Sequence, residues 1–127
     1  MPACDDSGNT WVCEAGTSTA SLLGLNPSGA TIATYSDASV HQLQSGVVVG
    51  SSWVGGSSGS GWVGSIDLST GAYTTLSSDV VQQTTAVTDG VRAFLAGVGK
   101  VIVVDGSTVS YIPVPGAHNP IGIGLVA

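Results

Sequence analysis

The chain has 127 residues, a net charge of −6 and only two basic side chains besides histidine, Arg92 and Lys100, so nucleic acid and anionic membranes are not expected as partners. Charged residues make up only 8% of a sequence rich in Val, Ile, Thr and Ser, which argues against disorder and favours β-strands. No apolar run reaches the roughly 20 residues that cross a bilayer. The first six residues lack the basic and apolar parts of a secretory signal, so we expect either export by another route, no export, or a mature or excised piece.

Two cysteines, Cys4 and Cys13, flank the turn-forming residues 5–9. If these residues turn a hairpin, its arms bring the cysteines together, and we expect a disulfide that contributes about 2–4 kcal/mol. Two free, partly buried thiols are the alternative, because a Cys pair without a companion Cys or His fits no common zinc spacing. A disulfide would indicate an oxidising setting such as a secreted protein or a virion surface.

An internal repeat of about 40 residues runs along the chain. Trp11, Trp53 and Phe94 stand 42 and 41 residues apart, and each follows a turn that contains glycine. A repeat of this length that holds four short strands is typical of one β-propeller blade. A pair of strands folded about a glycine turn follows each aromatic residue, at Gly29, Gly71 and Gly106.

We therefore expect an all-β fold with three β-propeller-like blades of four antiparallel strands, in repeats at about 1–38, 39–79 and 80–117. Residues 118–127 are expected to form a strand that completes a blade. Three blades are too few to close a ring, and apolar end faces do not stay exposed on a soluble monomer. We expect a homodimer that forms six blades head to tail, in which each C-terminal strand completes the partner's N-terminal blade; a trimer of nine blades is the alternative.

Two segments near the C-terminus carry a resemblance to a known family. Residues 109–116 (Val-Ser-Tyr-Ile-Pro-Val-Pro-Gly) and 119–123 (Asn-Pro-Ile-Gly-Ile) resemble blades of the streptogramin-lyase and YVTN type of β-propeller. The resemblance implies the propeller fold and, for the lyases, a His and a Glu near bound magnesium at one end of the ring. Here no acidic residue accompanies His41 or His118 in the repeat, so we expect no lyase active site, no metal and no cofactor.

Three side chains are candidates for ligand binding. His41 and His118 occupy nearly equivalent positions before strands and would line one end of a ring, unless both are simply solvated loop residues. Trp62 ends the Gly/Ser-rich connection 56–61 and is a candidate for an exposed aromatic that stacks on a sugar or anchors an interface. Packing between blades is expected for the aromatics of the repeat, Trp11, Trp53 and Phe94.

These patterns favour a non-enzymatic, self-assembling structural or binding module over an enzyme. His, Glu, Lys and Arg, which perform most acid–base catalysis, are scarce. Low charge together with abundant Ser, Thr and Gly suits a surface-exposed scaffold or a virion component, located outside the cell or on the virion surface. The alternatives are a secreted glycan-binding propeller, that is a lectin, and a fragment of a lyase-like propeller enzyme.

Overall fold

The computed structural model describes residues 3–14, 21–37, 39–40, 43–57, 61–82 and 86–115. Within these residues the regular structure consists of twelve β-strands. None of these residues belongs to a helix that is long and apolar enough to cross a membrane. The strands, in chain order, are β1 (Ala3–Cys4), β2 (Thr10–Glu14), β3 (Ser21–Leu25), β4 (Thr31–Ser36), β5 (Leu43–Val49), β6 (Ser52–Ser57), β7 (Trp62–Asp67), β8 (Tyr73–Ser77), β9 (Val87–Thr88), β10 (Arg92–Ala96), β11 (Lys100–Asp105) and β12 (Thr108–Pro113).

The strands form three separate antiparallel sheets of four strands, each a simple meander. The first sheet has the order β1-β2-β3-β4, the second β5-β6-β7-β8 and the third β9-β10-β11-β12. The expected all-β fold with three propeller-like blades is therefore confirmed. The first strand of the first sheet is the chain's own β1, which pairs with β2. The C-terminal strand expected at 118–127 lies outside the described residues.

The hairpin turns are fixed by side-chain acceptors and by glycine. Asn26 Oδ1 accepts hydrogen bonds from the backbone N–H groups of Ser28 and Ala30, both at 3.0 Å. Asp67 Oδ1 accepts from the N–H of Ser69 at 2.8 Å in the corresponding turn of the second sheet. Each turn ends in a glycine with positive φ, a conformation that side chains disfavour. The repeated glycine turns of the sequence are therefore the hairpins between the third and fourth strands.

The sheets pack in sequence order, and each sheet has two distinct faces. We call the face that points to the next sheet along the chain the forward face, and the opposite one the backward face. The forward face of the first sheet packs on the backward face of the second, and two tyrosines join them. Tyr35 Oη donates to the carbonyl of Leu68 at 2.8 Å, and Tyr73 Oη donates to that of Tyr35 at 2.9 Å. The buried residues of this junction include Trp11, Leu22, Leu43, Trp53, Trp62 and Ile66.

The second and third sheets meet in the same orientation through aliphatic side chains. Val54 and Val63 lie on the forward face of the second sheet, opposite Trp53, and are buried against the third sheet. The backward face of the third sheet supplies Ala93, Leu95, Ile102 and Val104. Both junctions of the chain are therefore forward-on-backward contacts.

Trp11 and Trp53 both pack between the first two sheets, but the two residues do not hold equivalent positions on their sheets. Three residues, 6–8, separate the bonded pair Asp5 and Asn9 in the first hairpin, whereas two separate the paired residues Val49 and Ser52 in the second. Side chains alternate along a strand, so one extra turn residue reverses the face that an aligned residue occupies. Trp11 points forward and Trp53 points backward, although both are buried between the same two sheets.

Phe94 lies on the forward face of the third sheet. Its neighbours Ala93 and Leu95 are buried against the second sheet, so the side chain between them points the opposite way. Like Trp11, it is the third residue after its turn, because Asp89 and Arg92 close a turn of two residues. Its expected packing between blades stays a prediction, since no described sheet follows the third.

We predict that Gly46→Ala destabilises the fold by about 1–3 kcal/mol, although Ala is normally the better residue in a strand. A Cβ atom at Gly46 would stand 2.2 Å from Cζ2 of Trp53, so the ring or the two paired strands must move. Urea unfolding of Gly46→Ala in the wild-type and Trp53→Phe backgrounds measures the coupling. An equal penalty in both backgrounds would contradict the role assigned to the ring.

Candidate functional site

The three ligand-binding candidates of the sequence are not brought together by the described structure. His41 and His118 lie outside the described residues, so their role stays a prediction. Trp62 is only 5% exposed, and its Nε1 donates to Thr75 Oγ1 at 2.9 Å. The expectation of an exposed ring is wrong, because Trp62 shares the backward face of β7 with Gly64 and Ile66, which the first sheet covers.

The expected disulfide between Cys4 and Cys13 is also wrong, and both thiols are free. Cys4 is paired in register with Thr10, which places Cys13 three residues, or about 10 Å, further along β2 and on the opposite face. No disulfide can span that separation. Cys13 packs at the junction of the first two sheets, where burial raises the pKa of its thiol to about 11, whereas Cys4 is exposed on the backward face.

The turn of the first hairpin is organised by the carboxylate of Asp5. It accepts hydrogen bonds from Trp11 Nε1 at 3.0 Å, from the Asn9 side chain at 3.1 Å and from the backbone N–H of Asn9 at 2.9 Å. These bonds, that of Trp11 foremost, lower the pKa of Asp5. Asp5 therefore holds the turn and the indole in place. No group of three His, Cys, Asp or Glu side chains in the described residues is arranged to bind a metal ion.

A cleft of about 500 Å³ opens between the first and second sheets at their turn end. Its wall is formed by apolar and aromatic side chains, with Trp11 stacked on Tyr35 at 5.7 Å between ring centroids. Asp6, Ser7 and Ser51 line the same cleft, and no hydrogen bond engages their side chains within the described residues. The cleft therefore combines an apolar wall with uncommitted polar groups. The sequence did not reveal it, because its two walls come from separate repeats.

A cluster of polar side chains joins the second sheet to the third. Lys100 Nζ forms an ion pair with Asp79 Oδ1 at 2.7 Å, and Ser77 Oγ donates to Asp79 Oδ2 at 2.9 Å. The hydroxyl of Tyr111 donates to the same carboxylate, and the Lys100 ammonium lies 4.3 Å from the centre of the Tyr111 ring. The bonds from Lys100 and then Tyr111 lower the pKa of Asp79. The cluster pins β11 and β12 to the segment that follows β8.

The other basic side chain is also paired. Arg92 Nη2 lies 2.7 Å from Asp89 Oδ2, and the guanidinium stands 5.4 Å from the centre of the Phe94 ring. Backbone N–H groups of Arg92 and Val91, together with the guanidinium, hold the pKa of Asp89 at about 2. Both basic side chains are therefore neutralised by a nearby carboxylate.

Two sheet faces have no described sheet packed on them. The forward face of the third sheet carries Phe94, which is half-buried, Ile112, which is 52% exposed, and Val103, which is buried beside Phe94. The backward face of the first sheet carries the half-buried side chains of Val12, Leu23 and Leu25. Neither set belongs to the buried clusters that hold the three sheets together. Each end of the stack therefore presents apolar side chains that neither junction of the chain uses.

Comparison with known proteins leaves the family open. No known protein family matches the sequence, and no curated protein is similar to it. Function is therefore inferred from the arrangement of the three sheets and from their side chains.

We predict that Asp79→Asn lowers the free energy of unfolding by roughly 1–2 kcal/mol at pH 7, because it removes the charge that accepts these hydrogen bonds. The folded pKa of Asp79 lies below the unfolded value of about 3.9. Its stabilising contribution is therefore complete above that value and is lost as the pH falls through the folded pKa. Thermal unfolding between pH 2 and pH 7, as experimental settings, measures the difference from wild type.

Asp105→Asn is the matched control for this prediction. It removes the same charge from the exposed end of β11, where no side-chain hydrogen bond engages Asp105 within the described residues. A loss of stability as large as that of Asp79→Asn, or one that does not shrink in acid, would contradict the role of the cluster.

Proposed function

We propose that the protein is a non-enzymatic, self-assembling structural or binding module whose sheets continue into those of a second copy. The observation that carries the proposal is the pair of apolar end faces. Inside the chain every such face is covered by a neighbouring sheet. Burial of apolar area yields about 25 cal/mol per Å², so a partner that covers both end faces stabilises the assembly.

The use of the charged side chains supports a structural rather than a catalytic role. Asp79 and Asp89 pair with the chain's Lys and Arg, and Asp5 accepts bonds from its own turn and from Trp11. Asp5 and Asp89 thus hold turns in place, and Asp79 holds the third sheet to the segment that follows β8. Catalytic carboxylates instead keep part of their bonding capacity for a substrate.

A position outside the cell or on a virion surface remains part of this proposal. It is supported by the low content of charged residues and by the abundance of small and hydroxyl side chains. The free thiols of Cys4 and Cys13 remove the disulfide as an argument for an oxidising setting. The proposed scaffold or virion role therefore rests on composition and self-assembly alone.

We predict that light scattering coupled to gel filtration gives twice the 12.5 kDa mass of one chain, and that dilution shifts the mass toward a single chain. Because the end faces are apolar, the association should persist at about 1 M salt, where exposed ion pairs are screened. A single-chain mass at every concentration up to the limit of solubility would contradict self-assembly.

Ligand binding is a second candidate function, favoured by the cleft between the first and second sheets. Its 500 Å³ volume suits a small ligand, and uncommitted groups of Asp6, Ser7 and Ser51 offer acceptors beside an apolar wall. Two acidic side chains, Asp5 and Asp6, line it without a basic one, which disfavours anionic ligands. Neutral or amino sugars fit this chemistry, in agreement with a lectin.

We predict that any glycan bound by the wild type on a glycan array is lost from Ser51→Trp. The new indole would fill the cleft from an exposed turn position without entering the core. Ser28→Trp is the control, because Ser28 is exposed on another turn and does not line the cleft. Retention of binding in Ser51→Trp, or absence of any neutral or amino glycan among wild-type ligands, would contradict this second function.

A further inference from the structure

We propose that the forward face of the third sheet docks on the backward face of the first sheet of a second copy, with Phe94 as its central anchor. This inference rests on the proposed function, since it names the partner and the surfaces through which the chain assembles. The occupant of each end face is thus the opposite end face of another copy.

The two junctions within the chain supply the first argument. In both, the face that carries the third residue after the turn of a sheet packs on the face that carries the second residue after the turn of the next sheet, Trp11 with Trp53 and Val54 with Ala93. Phe94 occupies in the third sheet the position that Trp11 occupies in the first, third after the turn and pointing forward. Trp11 is buried by the next sheet, so the equivalent burial of Phe94 requires a backward face.

The composition of the two end faces supplies the second argument. Thr10 of the first sheet holds the position that Trp53 and Ala93 hold in the other two, second after the turn and pointing backward. A small side chain at this point leaves room for an aromatic ring, as a protein interior requires large and small residues to interdigitate. Val12, Leu23 and Leu25 surround this position with apolar surface.

Symmetry supplies the third argument. A forward-on-backward contact is heterologous, and two copies joined by two such contacts form a closed ring. Three sheets from each chain then give six, which is within the range of known propeller rings. A contact between two forward faces would be isologous and would leave both backward faces, with Leu23 and Leu25, uncovered.

The decisive experiment uses one charged variant on each face, Phe94→Asp and Leu23→Asp, and measures mass by light scattering. Each variant alone should weaken self-association about 30-fold or more, as expected for the loss of a central anchor. An equimolar mixture should regain association through one of the two contacts, where the intact backward face of Phe94→Asp meets the intact forward face of Leu23→Asp, while the other contact carries both charges. Val98→Asp is the control, because Val98 is 53% exposed between β10 and β11 and lies on neither face.

Alkylation of Cys4 provides a second readout that does not depend on the charged variants. Cys4 pairs with Thr10 and lies on the backward face of the first sheet, where it is exposed in a single chain. Iodoacetamide at neutral pH should therefore modify it at least about tenfold more slowly in the dimer than after dilution or in Phe94→Ala, a milder variant that keeps the fold. Cys13 should not be alkylated, because its thiol is buried and the pKa of that thiol is raised.

The outcomes distinguish the proposed self-assembly from the proposed interface. A wild type that is always a single chain removes the proposed function itself. A wild-type dimer that survives both charged variants with Cys4 still reactive keeps self-assembly but overturns this interface. Dissociation by Phe94→Asp but not by Leu23→Asp would identify an isologous contact of two forward faces and also overturn it. Circular dichroism of each variant separates these results from unfolding.

Discussion

The stacking of the first two sheets depends on indole rings that lie flat on glycines. A Cβ atom at Gly24 would stand 2.6 Å from the ring of Trp11, and one at Gly46 would stand 2.2 Å from that of Trp53. The missing side chains let each ring fill the space between the sheets at interior packing density. The arrangement has a cost, because Nε1 of Trp53 is buried without a hydrogen-bond partner, which typically costs about 1–3 kcal/mol.

The fold class could be predicted from the sequence, but the facing of its aromatic residues could not. Glycine turns and β-branched runs recur at blade length, and they determine the three four-stranded meanders. The direction of Trp53 depends on a single residue in the length of a turn, and an alignment of Trp11 with Trp53 conceals that difference. The burial of Trp62 could have been predicted, because the alternation of side chains along β7 places it on the same face as Gly64 and Ile66.

The Asp79 cluster and the cleft could not be predicted from the sequence for a different reason, namely that each joins segments from two repeats. Lys100 and Tyr111 reach Asp79 across 21 and 32 residues, and no local pattern signals that contact. The cleft likewise needs the turn around Asp5 and the turn around Ser51 to meet at one junction. The sequence identifies the chemical groups, but their proximity follows only from the packing of consecutive sheets.

Directional stacking also constrains how the chain can assemble. A sheet whose two faces differ can be extended only by the complementary face, so every further contact repeats the sense of the first two. Repetition without closure produces a filament, whereas repetition with a constant rotation between sheets produces a ring. Polar contacts cross both junctions of the chain, the Tyr35 bond to Leu68 at one and the Lys100 pair with Asp79 at the other. A contact anchored by Phe94, as we propose, would continue the same sense of stacking from one copy to the next.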